Sequence, residues 1–222
     1  MKETYFTEDN IREVGQRLFA SLDRFRRRHP LKIKRDGIAL IVLDMQRFFL
    51  DESSPGFLPS APAIVENIRS LVEKFSYSGR PVIFTKHENT DEDAGMLGVW
   101  WNSIIEAGSH FAEIIEEVLP ERGIIIKKTS YDAFYRTGLD EFLKKNHVEQ
   151  IVITGVKTNL CCETTARSGF IRGYHIIFTI DGTATDNLDF HKASLLNISH
   201  GFGIPALCRE IGWQLKKSLL TE

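Results

Sequence analysis

The sequence predicts a three-layer α/β/α fold around a central, mainly parallel sheet of about six strands. Short runs rich in Ile, Val, Leu and Phe recur near 38–44, 81–86, 123–128, 150–156 and 175–180, with a sixth, shorter run near 206–209. Each run is too short for a buried helix and is separated from the next by a stretch long enough to hold one, the alternation that right-handed βαβ crossovers produce. No internal repeat, low-complexity tract or linker rich in Gly, Pro or Ser divides the 222 residues. That length buries a substantial core without disulfides or metals, so residues 1–222 are expected to form one domain with an N-terminal helical extension over 1–35.

Taken in order, Thr7 can cap a helix whose apolar positions Ile11, Val14, Leu18, Leu22 and Phe25 recur at spacings of three and four. Such a stripe must bury against its own domain or against a neighbouring subunit. Arg24, Arg26, Arg27, Arg28, Lys32, Lys34 and Arg35 follow as a basic cluster; it reads as a solvated helix end, where cations are favoured, or else as an anion-attracting surface. The first strand runs into Asp44, and the irregular loop from Asp51 to Pro62, with three prolines and a glycine, is expected to border the strand ends. The second strand leads to His87 and the third to Lys128, with Lys127 as the other candidate to face a site. In the fourth, Ile151-Val152-Ile153-Thr154-Gly155-Val156 turns into a helix that Thr158 or Asn159 can cap, placing Cys161 near its start. Cys162 lies about 100° further round that helix and reads as packing, as does Cys208.

The strand ends carry the chemistry. Open α/β sheets bind ligands beyond the carboxyl ends of their strands, and a helix N-terminus favours the reactive thiolate, so Cys161 is expected to be partly ionised at neutral pH. Cys161 also reads as a small apolar residue behind the sheet, and Asp44 and Lys128 as exits into solvent. Three parallel strands that deliver a carboxylate, an ammonium and a thiol to one edge supply a base, a cation to hold the charged pair, and a nucleophile.

Leu43-Asp44-Met45-Gln46, Lys128-Thr129-Ser130-Tyr131-Asp132-Ala133-Phe134 and Thr154-Gly155-Val156-Lys157-Thr158-Asn159-Leu160-Cys161 resemble the isochorismatase-like hydrolases, a superfamily of nicotinamidases, N-carbamoylsarcosine amidohydrolases and true isochorismatases. The resemblance covers about residues 36–212 and implies catalytic Asp44, Lys128 and Cys161. It implies a cis peptide at Val156-Lys157, with the Lys157 and Cys161 amides as an oxyanion hole. By the same resemblance Gln46 would hydrogen-bond substrate. His87 stands at the mouth of the second strand, and Trp100, Trp101 and Tyr131 are candidates for the cavity wall, although such residues also pack cores and interfaces.

The chain departs from each branch. True isochorismatases resemble it around Glu92–Trp100 but carry glycine in place of Cys161. Nicotinamidases usually carry an Asp-x-His metal site after the first helix region, and no histidine lies between Phe48 and Pro62; no metal and no cofactor are expected. The implied function is hydrolysis of a C–N bond in a small amide or carbamoyl compound through a thioester. The alternatives are vinyl-ether hydrolysis with Asp44 as acid, and a non-catalytic member that binds a metabolite or partner.

A net charge of −2 argues against a nucleic-acid partner. Three cysteines, two of them adjacent, make no disulfide framework and suit a reducing cytoplasm. No apolar run approaches the ~20 residues of a membrane span, and no signal-peptide core is present. A small-molecule substrate, no membrane contact and a homo-oligomer, built partly on the apolar stripe of the first helix, are the expected associations.

Overall fold

A computed structural model describes residues 2–34, 36–101, 103–119 and 123–220. Its strands are β1 (Ile38–Leu43), β2 (Val82–His87), β3 (Ile124–Lys128), β4 (Gln150–Val156), β5 (His175–Ala184) and β6 (Ile204–Ala206). The helices are α1 (Ile11–Ser21), α2 (Asp23–Arg26), α3 (Arg47–Leu50), α4 (Val65–Tyr77), α5 (Gly95–Trp100), α6 (Leu139–Lys145), α7 (Glu163–Ile171), α8 (Leu188–Gly201) and α9 (Cys208–Leu220).

The six strands form one all-parallel sheet in the order β3-β2-β1-β4-β5-β6. Every residue of β1 and β4 is buried, which is why β1 reads as an unbroken apolar run and β4 as a nearly continuous one: helices cover both faces of a parallel sheet. The chain fills one side through β2 and β3, then returns to start the other side at β4. Between β1 and β4, where the order reverses, diverging crossovers leave a crevice at the carboxyl ends of the strands.

The close approach of these two central strands depends on Gly155, which pairs with Leu43 and has φ +106°. A β-carbon there would lie 2.0 Å from the Leu43 carbonyl oxygen. No side chain fits, and the backbone lies in a region that non-glycine residues avoid.

Helix α1 packs its stripe inward. Ile11, Val14, Leu18 and Leu22 are buried in the same apolar cluster as the sheet, and Gly15 lies against Asp181 and Leu207. The stripe is thus covered by its own chain, which removes the ground it offered for a homo-oligomer. Thr7 and Asn10 exchange hydrogen bonds, the Thr7 amide to Asn10 Oδ1 at 2.8 Å and the Asn10 amide to Thr7 Oγ1 at 3.2 Å, so the turn before α1 is closed reciprocally. In the basic cluster, Arg26 pairs with Glu210, Arg27 with Asp23 and Lys34 with Glu149; Arg35 lies outside the described residues. Among those residues no helix is long and apolar enough to cross a membrane.

Two local expectations are corrected. The sixth strand ends at Ala206, because Asp181 Oδ1 accepts the Cys208 amide at 2.8 Å and starts α9 there. Neither Thr158 nor Asn159 caps a helix. Residues Thr158–Cys162 form a π-helical turn ahead of α7, with Thr158 Oγ1 engaged by His191 Nδ1 and Asn159 Oδ1 accepting from Thr185 Oγ1. Both side chains are drawn to neighbouring elements instead of to the turn they begin.

Candidate active site

Asp44 leaves β1 with φ +51°, a left-handed conformation that Asp tolerates better than most residues. Its carboxylate is fully buried and is held by Thr85 on the neighbouring strand: Thr85 Oγ1 accepts the Asp44 amide at 3.2 Å and donates to Asp44 Oδ1 at 2.6 Å. That bond leaves Oδ2 to the crevice, where it meets Lys128 Nζ at 2.8 Å. The contact is an ion pair without hydrogen-bond alignment, so Oδ2 keeps a lone pair for another donor.

Lys128, at the end of β3, is 2 % exposed. Its ammonium also donates to the Ser130 carbonyl at 2.8 Å, to His87 Nδ1 at 3.1 Å and to Cys161 Sγ at 3.4 Å. All three hydrogens of the ammonium are thus placed, and the long contact to sulfur is the weakest of them. Burial alone would make this lysine easier to deprotonate, but the Asp44 carboxylate and the Cys161 sulfur outweigh it and push its pKa up. Lys127 points the other way, exposed and paired with Glu88.

His87 pairs with Lys128 across β2 and β3. The Asn89 amide nitrogen donates to Thr129 O and Asp93 Oδ1, which turns Asn89 Oδ1 toward His87 Nε2 at 2.9 Å. Nε2 therefore carries the proton, and Nδ1 offers its lone pair to Lys128. Burial first, and the Lys128 ammonium second, push the imidazole down to about 4; at neutral pH it is an uncharged spacer.

Cys161 sits in the π-helical turn after β4, 4 % exposed. Its sulfur, a carboxylate oxygen of Asp44 and a ring nitrogen of His87 lie within 4.8 Å of one another. Burial and the adjacent Asp44 carboxylate push the thiol up to about 12 against the opposing pull of Lys128. The expectation of a partly ionised cysteine is therefore corrected: burial and the nearest carboxylate together outweigh the nearest cation. The resting site holds a neutral thiol beside a ready acceptor. Cys162, fully buried toward Thr154 O, and Cys208, beside Asp181, face away from the cavity.

Asp44, His87 and Cys161 present donor atoms at metal-ligand separations, but Lys128 Nζ already occupies contact distance to all three. A cation could enter only by displacing that ammonium, so the donor set does not fit a metal while Lys128 is charged.

Cys161 opens on a cavity of about 170 Å³. Phe48, Phe49, Leu97, Trp101, Tyr131 and Leu160 give it apolar walls, Pro55 and Gly56 from the irregular loop border it as expected, and His87 and Asn89 supply polar atoms. Trp101 Nε1 donates to the Tyr131 hydroxyl at 2.7 Å, fixing one wall. The peptide bond Val156–Lys157 is cis. Trp100 is 75 % exposed and does not line this cavity; the wall residue is its neighbour Trp101, which lies just past the end of α5 where the backbone turns extended. Gln46 does not reach the cavity either. It is fully buried, with Nε2 donating to His87 O at 2.8 Å and Ala112 O at 2.9 Å and Oε1 accepting the His87 amide at 2.8 Å, so it ties the end of β2 to the loop before β3. Sequence reasoning missed Thr85, Asn89, Asp186 and Lys2. Asn89, two residues past His87, had a positional signal; Thr85 looked like an ordinary β-branched strand residue.

The Isochorismatase domain family matches residues 38–209. Nicotinamidase 3 of Arabidopsis thaliana is 38 % identical over 189 residues, spanning 82 % of this chain and 88 % of its own. Ureidoacrylate amidohydrolase RutB of Yersinia enterocolitica is 30 % identical over 203 residues, spanning 80 % and 88 %. The crystal structure of a cysteine hydrolase from Pseudomonas syringae superposes with a TM-score of 0.81 at 27 % identity, covering 85 % of this chain and 96 % of that one. The fold, the converging side chains and these likenesses agree: the chain belongs to the isochorismatase family of hydrolases.

Proposed function

We propose that this protein hydrolyses the C–N bond of a small amide or carbamoyl compound through a thioester on Cys161. The observation that carries the reading is the meeting of Asp44 Oδ2, Lys128 Nζ and Cys161 Sγ at the edge of one small cavity. Asp44 accepts the thiol proton as sulfur bonds to the carbonyl carbon, and the Lys128 ammonium offsets the charge that this separates. The neutral resting thiol suits such a step, because ionisation then coincides with attack. The Lys157 and Cys161 amides donate to the developing oxyanion. Asp44 returns the proton to the leaving nitrogen, takes one from water as it attacks the thioester, and acid and thiol are released. Relatives named as a nicotinamidase and an amidohydrolase support the amide reading. The cavity is close in size to one of ~150 Å³ that holds a single benzene ring, which favours compounds of about that bulk.

The test is a screen of small amides, ureas and isochorismate against the wild type, Cys161→Ala and Asp44→Asn. The expected result is turnover of one amide or ureido compound, lost by orders of magnitude in either variant, with the double variant little worse than each single. Isochorismate turnover that survives Cys161→Ala but not Asp44→Asn would replace this reading with ether hydrolysis. No turnover by the wild type, with an unreactive Cys161, would favour a binding role.

A further inference from the structure

Beyond the reacting groups, the same cavity is lined by Lys2, Lys157 and Asp186. Lys157 Nζ lies 3.0 Å from each Asp186 carboxylate oxygen and 5.2 Å from the centre of the Trp101 ring. Lys2 Nζ donates to the Pro55 carbonyl at 3.0 Å. It is close enough to Lys157 that, after burial, the like charge lowers its pKa, with Asp186 partly offsetting both. Lys157 is thus paired with Asp186 while Lys2 lies near both without an ion pair of its own to that carboxylate, in a cavity whose remaining walls are mostly apolar.

Lys2 is also held in place. The Glu3 amide donates to Asp186 O at 2.8 Å, and the Tyr5 and Phe6 amides to Ser60 Oγ at 2.9 and 3.1 Å. The Tyr5 hydroxyl accepts the Thr185 amide at 2.9 Å. Residues 2–6 therefore form a strap that joins the irregular loop of 51–62 to the segment between β5 and α8. The Glu3 carboxylate accepts from the Leu188 amide and does not line the cavity, so it leaves the Lys2 charge standing. A lysine on an untethered segment would lose much side-chain and backbone freedom on gripping a ligand; the strap has already removed part of that loss.

Resting on the amidase reading, we infer that the substrate carries an anionic group, a carboxylate, which Lys2 and Lys157 hold at the rim while its amide carbonyl reaches Cys161. Asp186 is a positioning residue for Lys157, and Lys2 is the specificity-determining residue. An apolar cavity with a cationic rim selects a short amphipathic anion over the neutral compound of the same shape.

The test uses probe pairs that differ only in the charged group: succinamate with succinamide, and terephthalamate with terephthalamide. Binding is read by calorimetry on Cys161→Ala protein, where the thioester step is absent, so the outcome is independent of whether that step is correctly assigned; turnover by Cys161→Ala in the substrate screen reports on the step itself. In at least one pair the acid should bind about tenfold or more tightly than the diamide, as for a hydrogen bond to a charged group. Adding Lys2→Ala should remove most of that preference and Lys2→Arg should keep it, and rising salt should weaken it. Diamides that bind as well as acids in both pairs, or a preference that survives Lys2→Ala intact, would overturn the inference.

Discussion

Lys128 and Asp44 form an ion pair in which both side chains are wholly shielded from solvent, at 2.8 Å. Removing one partner from such a pair costs roughly 3–5 kcal/mol, because the survivor keeps its charge with nothing to balance it. Lys128→Met preserves most of the volume but strips the charge, and it leaves Ser130 O and His87 Nδ1 without their donor. Against a total stability of about 5–15 kcal/mol, this should lower the urea midpoint by roughly 1–2 M. Adding Asp44→Asn removes the stranded charge. An amide oxygen at 44 can still accept from Thr85 Oγ1, and φ +51° suits Asn as well as Asp. The double variant should regain at least about 2 kcal/mol over Lys128→Met while remaining inactive. The assay is urea unfolding followed by far-ultraviolet circular dichroism, with turnover measured alongside. A double variant no more stable than Lys128→Met would show that the pair is not the charge-balancing unit inferred from the geometry.

Acid should destabilise the fold through two histidines. Burial holds His87 at about 4 and His191 at about 3; both are neutral when folded and accept protons near 6.5 when unfolded, so their contribution is complete above that pH and is lost as pH falls toward 4 and 3. By pH 5 each should cost roughly 2 kcal/mol, and a urea midpoint unchanged between pH 7.5 and pH 5 would contradict this. Limiting iodoacetamide should label Cys161 before Cys162 and Cys208, because it alone of the three opens on the cavity, but slowly, with a rate still rising about tenfold per pH unit beyond pH 9. A rate plateau with an apparent pKa below 7 would show that the thiolate is already formed.

The sheet and the three side chains that meet at its edge were legible because each stands at or just beyond the place where a short apolar run stops, a pattern that survives without knowledge of partners. Asp44, Lys128 and Cys161 all lie at such ends, and even the competition between Lys127 and Lys128 follows strand alternation once the buried face is known. Less was legible where the answer depends on what another element brings. Gln46 has both ends of its amide consumed by backbone groups from distant segments. The choice of Trp101 over Trp100 is a matter of where a helix of six residues stops, since Trp101 is the extended residue just beyond it. The ionisation of Cys161 is a balance between a carboxylate and an ammonium whose distances no spacing encodes. Lys2 and Asp186 meet across a wide separation in sequence, leaving no local trace.

Gly155 gives the site a property of its own. Because the β1 backbone rests directly on a residue without a side chain, the spacing of the two strands that lead to the carboxylate and to the sulfur is set at that point by backbone contact, not by the fit of core side chains around it. The scaffold thereby separates the spacing of the two strands that carry Asp44 and lead to Cys161 from the shape and charge of the cavity walls.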